Sequence, residues 1–236
     1  MALIQILNNA DTVLIDDNYS NACVALRGSV MLVPGPDSTA GLAADYIDIT
    51  YTSSITPMLG LEMTDIKAAC IHTTRSGNSW TFRIYFHKDY YNRALNYLIF
   101  TIPSAVQSGG GIVQLFDETG TLVFDSNLRY LRISGFYTTP STTATVASDL
   151  STARTYAAIN VVPYYYRQHI RRDPSIPGPP YQFIDANAVT LYSRSGSSLS
   201  STLVTTYQRV NNSDLPGGYI DDVKNGRLML VDVTGY

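Results

Sequence analysis

Charge is scarce in this chain. Asp, Glu, Lys and Arg make up 15% of its 236 residues, against about 25% in an average soluble domain. A disordered chain would be charge-rich and apolar-poor, and a helical cytosolic protein would carry more lysine and glutamate, so both classes are disfavoured. The net charge of −3 and pI near 5.5 give no general attraction to nucleic acid or to anionic lipid. With two cysteines, Cys23 and Cys70, there is no disulfide framework. A single bridge stays open, but two buried thiols are the favoured state. No run approaches the 18 apolar residues of a membrane-spanning helix. The start, MALIQILNNADTVLIDD, has no basic segment and no apolar stretch of signal-peptide length, which predicts synthesis in the cytoplasm. Also missing are a nucleophile elbow, a zinc-protease helix, a P-loop and a dinucleotide fingerprint.

Apolar residues reach 45%, with 18 tyrosines beside one tryptophan. Serine and threonine supply roughly a fifth of the chain. The solvated surface is therefore built from hydroxyls and amides. That is the texture of an outward-facing protein, and a virus particle assembled inside a cell reconciles it with cytoplasmic synthesis. The length suffices for one large β domain or two small ones.

Period two dominates the pattern. Trp80, Phe82, Ile84 and Phe86 fall on one face of a predicted strand, and Thr81, Arg83, Tyr85 and His87 on the other. Ala68–His72 reads as its partner, with Arg75-Ser76-Gly77-Asn78 as the turn. Further strands are predicted at Tyr46–Tyr51, Tyr97–Ile102, Tyr156–Tyr166, Ala188–Ser193, Leu203–Val210 and Arg227–Val233. Ser148–Thr155 and Tyr90–Asn96 could each form a helical turn or two. The class is all-β, a sandwich or jelly-roll-like arrangement of antiparallel sheets with little helix.

An internal repeat divides the chain. Residues 4–18, IQILNNADTVLIDDN, align without a gap to residues 113–127, VQLFDETGTLVFDSN. Gln5, Thr12, Asp16 and Asn18 recur as Gln114, Thr121, Asp125 and Asn127. Each copy has the chemistry of a β-hairpin, with turns at Asn8–Asp11 and Asp117–Gly120. Two related β units follow, 1–108 and 109–236, divided near Ser108-Gly109-Gly110-Gly111, which reads as a flexible joint.

The second copy, Val113–Tyr137, resembles the hairpin of small tailed-bacteriophage virion proteins found around tail tips and tail fibres. Phe116, Asp117, Gly120, Phe124, Asp125, Ser126, Arg129 and Arg132 carry the resemblance. It implies a β-rich particle component with no catalytic residues. The first copy departs from it, with Asp11 in place of the glycine and Asp17 in place of the serine.

Candidate sites are few. His72, His87 and His169 are too scattered for a metal centre, with His72 expected opposite Thr81. The acidic groups Asp16-Asp17, Asp221-Asp222 and Asp117/Glu118/Asp125 lack calcium-loop spacing and read as turn and cap residues. The segment Tyr164-Tyr165-Tyr166-Arg167-Gln168-His169-Ile170-Arg171-Arg172 concentrates basic and aromatic groups suited to subunit contact or glycan binding. The proline-rich stretch after it, with Pro177, Pro179 and Pro180, reads as an extended loop or docking arm. The reading that results is a non-enzymatic virion protein of the phage tail tip or tail-fibre attachment region, with no cofactor. Its partners would be other tail proteins and copies of itself, with no nucleic acid and no membrane insertion. A module recognising a bacterial surface glycan, or a head decoration or collar protein, is the alternative.

Overall fold

The computed structural model describes residues 5–7, 13–16, 20–35, 42–106, 110–140, 142–171, 181–213, 219–222 and 226–236. They form an all-β protein with two single-turn 3-10 helices, Lys88–Tyr90 and Pro103–Ala105. The strands of the first half are β1 (Gln5–Leu7), β2 (Val13–Asp16), β3 (Cys23–Met31), β4 (Ala44–Thr52), β5 (Met58–Glu62), β6 (Ala68–Ser76), β7 (Ser79–His87) and β8 (Ala94–Thr101). Those of the second half begin with β9 (Gln114–Phe116), β10 (Leu122–Asp125), β11 (Ile133–Thr139), β12 (Ala144–Ala147) and β13 (Tyr156–Val162). They continue with β14 (Tyr165–Arg171), β15 (Tyr181–Ser195), β16 (Ser198–Ser213), β17 (Tyr219–Asp222) and β18 (Gly226–Asp232).

Two sheets stack as a sandwich. One has the order β11-β18-β13-β5-β8-β3, the other β12-β16-β15-β6-β7-β4, with β14 and β17 added beside β15. Each half of the chain thus gives three adjacent strands to each sheet, in the same order. The row β5-β8-β3 corresponds to β13-β18-β11, and β6-β7-β4 to β15-β16-β12. Equivalent strands meet at the junctions, β5 with β13 and β6 with β15, both antiparallel, as they do across a two-fold axis.

The register repeats as well. Gln5 pairs with Asp16 and Gln114 with Asp125, and each hairpin carries its bulge one step further along. Bulges also recur at Val24/Leu26 in β3 and Ile133/Gly135 in β11, 109 positions on, like the hairpins. The β6–β7 turn, Arg75-Ser76-Gly77-Asn78-Ser79, has its counterpart in Arg194-Ser195-Gly196-Ser197-Ser198 between β15 and β16. Both are two-residue turns that open on a glycine of positive φ.

Strand β7 alternates as its sequence predicts, with Trp80, Phe82, Ile84 and Phe86 buried against Leu59, Leu61, Leu95 and Ile99. Strand β6 departs from a one-faced strand, because Ala68, Ala69, Cys70 and Ile71 are all buried. Ala68 and Cys70 join the cluster of β7, whereas Ala69 and Ile71 join Val189, Leu191 and Leu230. The tight turn and a bulge at Ile71 place His72 opposite Arg83, not Thr81. The predicted strand Tyr156–Tyr166 divides into β13 and β14 at Pro163, which has no N–H for the ladder. No helix forms at Ser148–Thr155, and Tyr90–Asn96 gives only the end of a 3-10 turn and the start of β8. Cys23 and Cys70 are free and buried, and burial pushes both thiols up to about 11, where they are unreactive.

Ala69 is 1% exposed, so Ala69→Leu overpacks a filled site and is expected to cost about 1–3 kcal/mol. Urea unfolding checks this. A one-faced β6 would predict no loss.

Candidate binding cleft and motif hairpin

The hairpin β9–β10 uses its polar side chains on itself. Asp117 Oδ1 accepts from the Thr119 and Thr121 amides and the Thr119 hydroxyl, an Asx turn that closes on Gly120 at φ +79°. Those bonds hold the Asp117 carboxyl below the usual carboxylate range. Asp125 is fully buried and is the hub. It accepts from the Gly111 amide (3.2 Å), the Gln114 amide group (2.7 Å) and the Asn127 amide (2.7 Å). A Cβ at Gly111 would stand 2.2 Å from Asp125 Oδ1, so the end of the glycine cluster is packed onto the hairpin instead of forming a loose joint. Ser126 Oγ accepts from the Val113 amide, and Phe124 stacks on Tyr130 at 5.0 Å. The Arg129 carbonyl accepts from the Val24 amide, which ties this segment to β3 of the other unit. The Arg132 guanidinium donates to the Asp232 and Thr234 carbonyls and lies over Tyr236. Phe116 alone of the eight offers a large apolar face to solvent.

The basic and aromatic segment lies elsewhere, in an elaboration that the first unit lacks. Residues 63–67 link β5 to β6, whereas residues 163–180 link β13 to β15 and include β14. Likewise β7 and β8 are linked by residues 88–93, and β16 and β18 by residues 214–225, which include β17. Strands β15 and β16, with 15 and 16 residues, outrun β6 and β7, with 9 each. Only Tyr192↔Ala68 joins β15 to β6, so β14 and β6 diverge on the same side of β15. A cleft opens in that fork.

The cleft has two adjoining cavities that share Arg167 and Asn187. The outer one, about 510 Å³, is lined by Arg167, Gln168, His169, Asp185, Asn187 and Tyr207. The inner one, about 200 Å³, is walled by His72 and Tyr85 on one side and by Tyr165, Tyr166, Arg167 and Thr206 on the other. Register sets the rows: Arg167, Asn187 and Tyr207 are aligned across three strands, and His169 pairs with Asp185, whose carboxylate its Nδ1 meets at hydrogen-bond distance. Tyr85 and His72 meet edge to face at 6.2 Å. Burial and the nearby Arg83 hold the His72 imidazole below its ordinary value, and Arg83 itself is clamped by Asp48 through two bonds of 2.9 Å.

The structure separates the residues expected to act together. Tyr165 and Arg167 are exposed in the cleft, and the Tyr166 hydroxyl donates to Gln168. Tyr164 is 2% exposed and belongs to the core, because its neighbour Pro163 ends β13 and the chain turns inward there. Arg171 ends β14, and Arg172, Pro177, Pro179 and Pro180 lie outside the described residues, as does the Asn8–Asp11 turn. Asp185, Asn187, Thr206 and Tyr207 are cleft residues that the sequence did not single out, and His72 was weighed there only as a metal ligand. Among the described residues no cluster of His, Cys, Asp and Glu could hold a metal ion, and no helix is long and apolar enough to cross a membrane. Comparison with family models, curated proteins and solved structures finds no match.

Two outcomes are expected. Asp125→Ala strands three donors at the hairpin and should lower stability by about 1–3 kcal/mol in thermal or urea unfolding, with faster hydrogen exchange at Asn127. By NMR titration His72 should titrate below 6.5, and Arg83→Gln should move it part of the way back up. Desolvation, the larger cause, remains in that variant.

Proposed function

We propose that this chain is a non-enzymatic structural component of a bacteriophage particle, an adaptor or attachment protein of the tail tip or tail-fibre region. The observation that carries the reading is the paired hairpin. Asp125 ties Gly111, Gln114 and Asn127 into the hairpin that bears the residues resembling the phage motif, and the same strand register recurs in the first hairpin. All eight are engaged within the chain through their side chains or backbones, which suits a scaffold.

The surface supports the same reading. Ile112, Val113 and Phe116 are exposed on and beside the second hairpin, and Phe136, at 66%, and Ile133 on the sheet-edge strand β11. Strand β11, Ile133–Thr139, carries no charge to discourage pairing along its free edge. Large apolar groups of this kind on a charge-poor surface suit burial by neighbouring subunits, whose contact cores are depleted in charge and rich in aromatics. Made in the host cytoplasm, such a protein would end in the virion and contact other tail proteins and copies of itself.

Immunogold labelling of intact particles with antibody to this chain tests the assignment. Gold at the tail end is expected. Gold on the head, or particles that lack the chain altogether, would refute it.

A further inference from the structure

The cleft in the fork between β14 and β6 has no part in the scaffold reading, and it stands on separate observations. It exists because the second unit departs from the first. The lengthened ends of β15 and β16, together with β14, supply Tyr165, Arg167, His169, Asp185, Asn187 and Tyr207. The shared core of the two units does not need these additions, since the first unit packs without them. Loops and extensions grafted on a common scaffold are where binding sites are built.

Chemistry narrows the ligand. The walls combine tyrosine rings with planar amide, carboxylate and guanidinium groups and, among the described residues, no lysine. Neither the Asn187 amide nor the hydroxyls of Tyr165 and Tyr207 have a hydrogen-bond partner among the described residues. These groups therefore remain available to a ligand rich in hydroxyls, while the ring faces can take an apolar C–H surface. Charge argues against an anion. His169 is held by Asp185, and among the described residues the walls carry one guanidinium, Arg167, and one carboxylate, Asp185. A phosphate or a uronic acid would meet no cluster of cations there. The two cavities, about 200 and 510 Å³, adjoin at Arg167 and Asn187, which suits a short chain of rings more than a single small ion.

We propose that this cleft is a binding site for a neutral saccharide, with one pyranose ring against Asn187 and Tyr207 in the larger cavity and a second among His72, Tyr85 and Tyr165 in the smaller.

Saturation-transfer NMR on the full chain tests it. The probes are lactose, maltose, cellobiose and sucrose, with galacturonic acid and inorganic phosphate as the charged arms. Transfer to the ring protons of at least one neutral disaccharide is expected. Asn187→Ala and Tyr207→Ala should each weaken that binding about tenfold or more, the scale of one lost hydrogen-bonding group. Both sites are partly exposed, and circular dichroism and thermal unfolding establish that each variant is folded. Phe136→Ser, on the opposite side of the sandwich, should bind as the native chain does. No transfer to any of the four sugars overturns the proposal. So does binding that both variants retain, or binding seen with galacturonic acid or phosphate alone. None of these results bears on where the chain sits in a particle, so the two readings fail separately.

Discussion

Burial of β6 on both faces is the constraint on which the rest of this molecule depends. A strand covered on one side can alternate large and polar residues, but β6 must satisfy two cores at once. It does so with Ala68 and Cys70 toward the tryptophan–phenylalanine cluster and Ala69 and Ile71 toward the other. Small side chains let both layers approach closely, at the interior density that proteins maintain. The large groups come from neighbours, chiefly Trp80, Phe82, Ile84 and Phe86, each contributing about 1.5–3 kcal/mol of burial. Strand β15 pairs with β6 at a single ladder position, Tyr192↔Ala68, before turning away. The cleft is a by-product of that divergence.

The two halves of the chain are one architecture used twice, and they differ in an informative way. Where they agree, in strand order, in bulges and in the glycine turns, the agreement concerns backbone geometry. Where they differ, the second unit has gained extra strands beside β15 that carry aromatic and polar groups. The first unit contributes to the cleft only through His72 and Tyr85, on the outer side of its own sheet. Scaffold and elaboration are thus separable in this protein, which is why an assembly role and a ligand site coexist without competing for residues.

Much of the fold was legible in the sequence, and the hidden parts have physical causes. The alternation in β7 and the hairpin repeat were plain, since each depends on neighbours a few residues apart. The second repeat, Arg-Ser-Gly-x-Ser at residues 75–79 and 194–198, was equally available. It escapes a search at constant offset because the inserted strands change the spacing. Strand β3 was missed because Arg27 and Gly28 interrupt its apolar pattern, yet Gly28 is required: a Cβ there would meet the Tyr97 ring at 2.4 Å. The site was half visible. Tyr165 and Arg167 drew notice as a basic and aromatic run, but Tyr164 in the same run is core. Nothing local announces that His72 and Tyr85 lie across from residues some ninety positions away in the chain. That proximity is a property of the fork alone.

The position of β18 has a consequence for how the molecule comes into being. It follows β11 and β13 in the chain, yet it lies between them in the middle of its sheet row. Until residues 226–232 leave the ribosome, β11 and β13 have no common partner, and the apolar faces of both remain open. Pairings of such long sequence separation are slow to form, because the intervening chain must first be confined. The second unit therefore closes only once β18 has been made. In that interval the nascent chain has one finished half and one half awaiting its central strand.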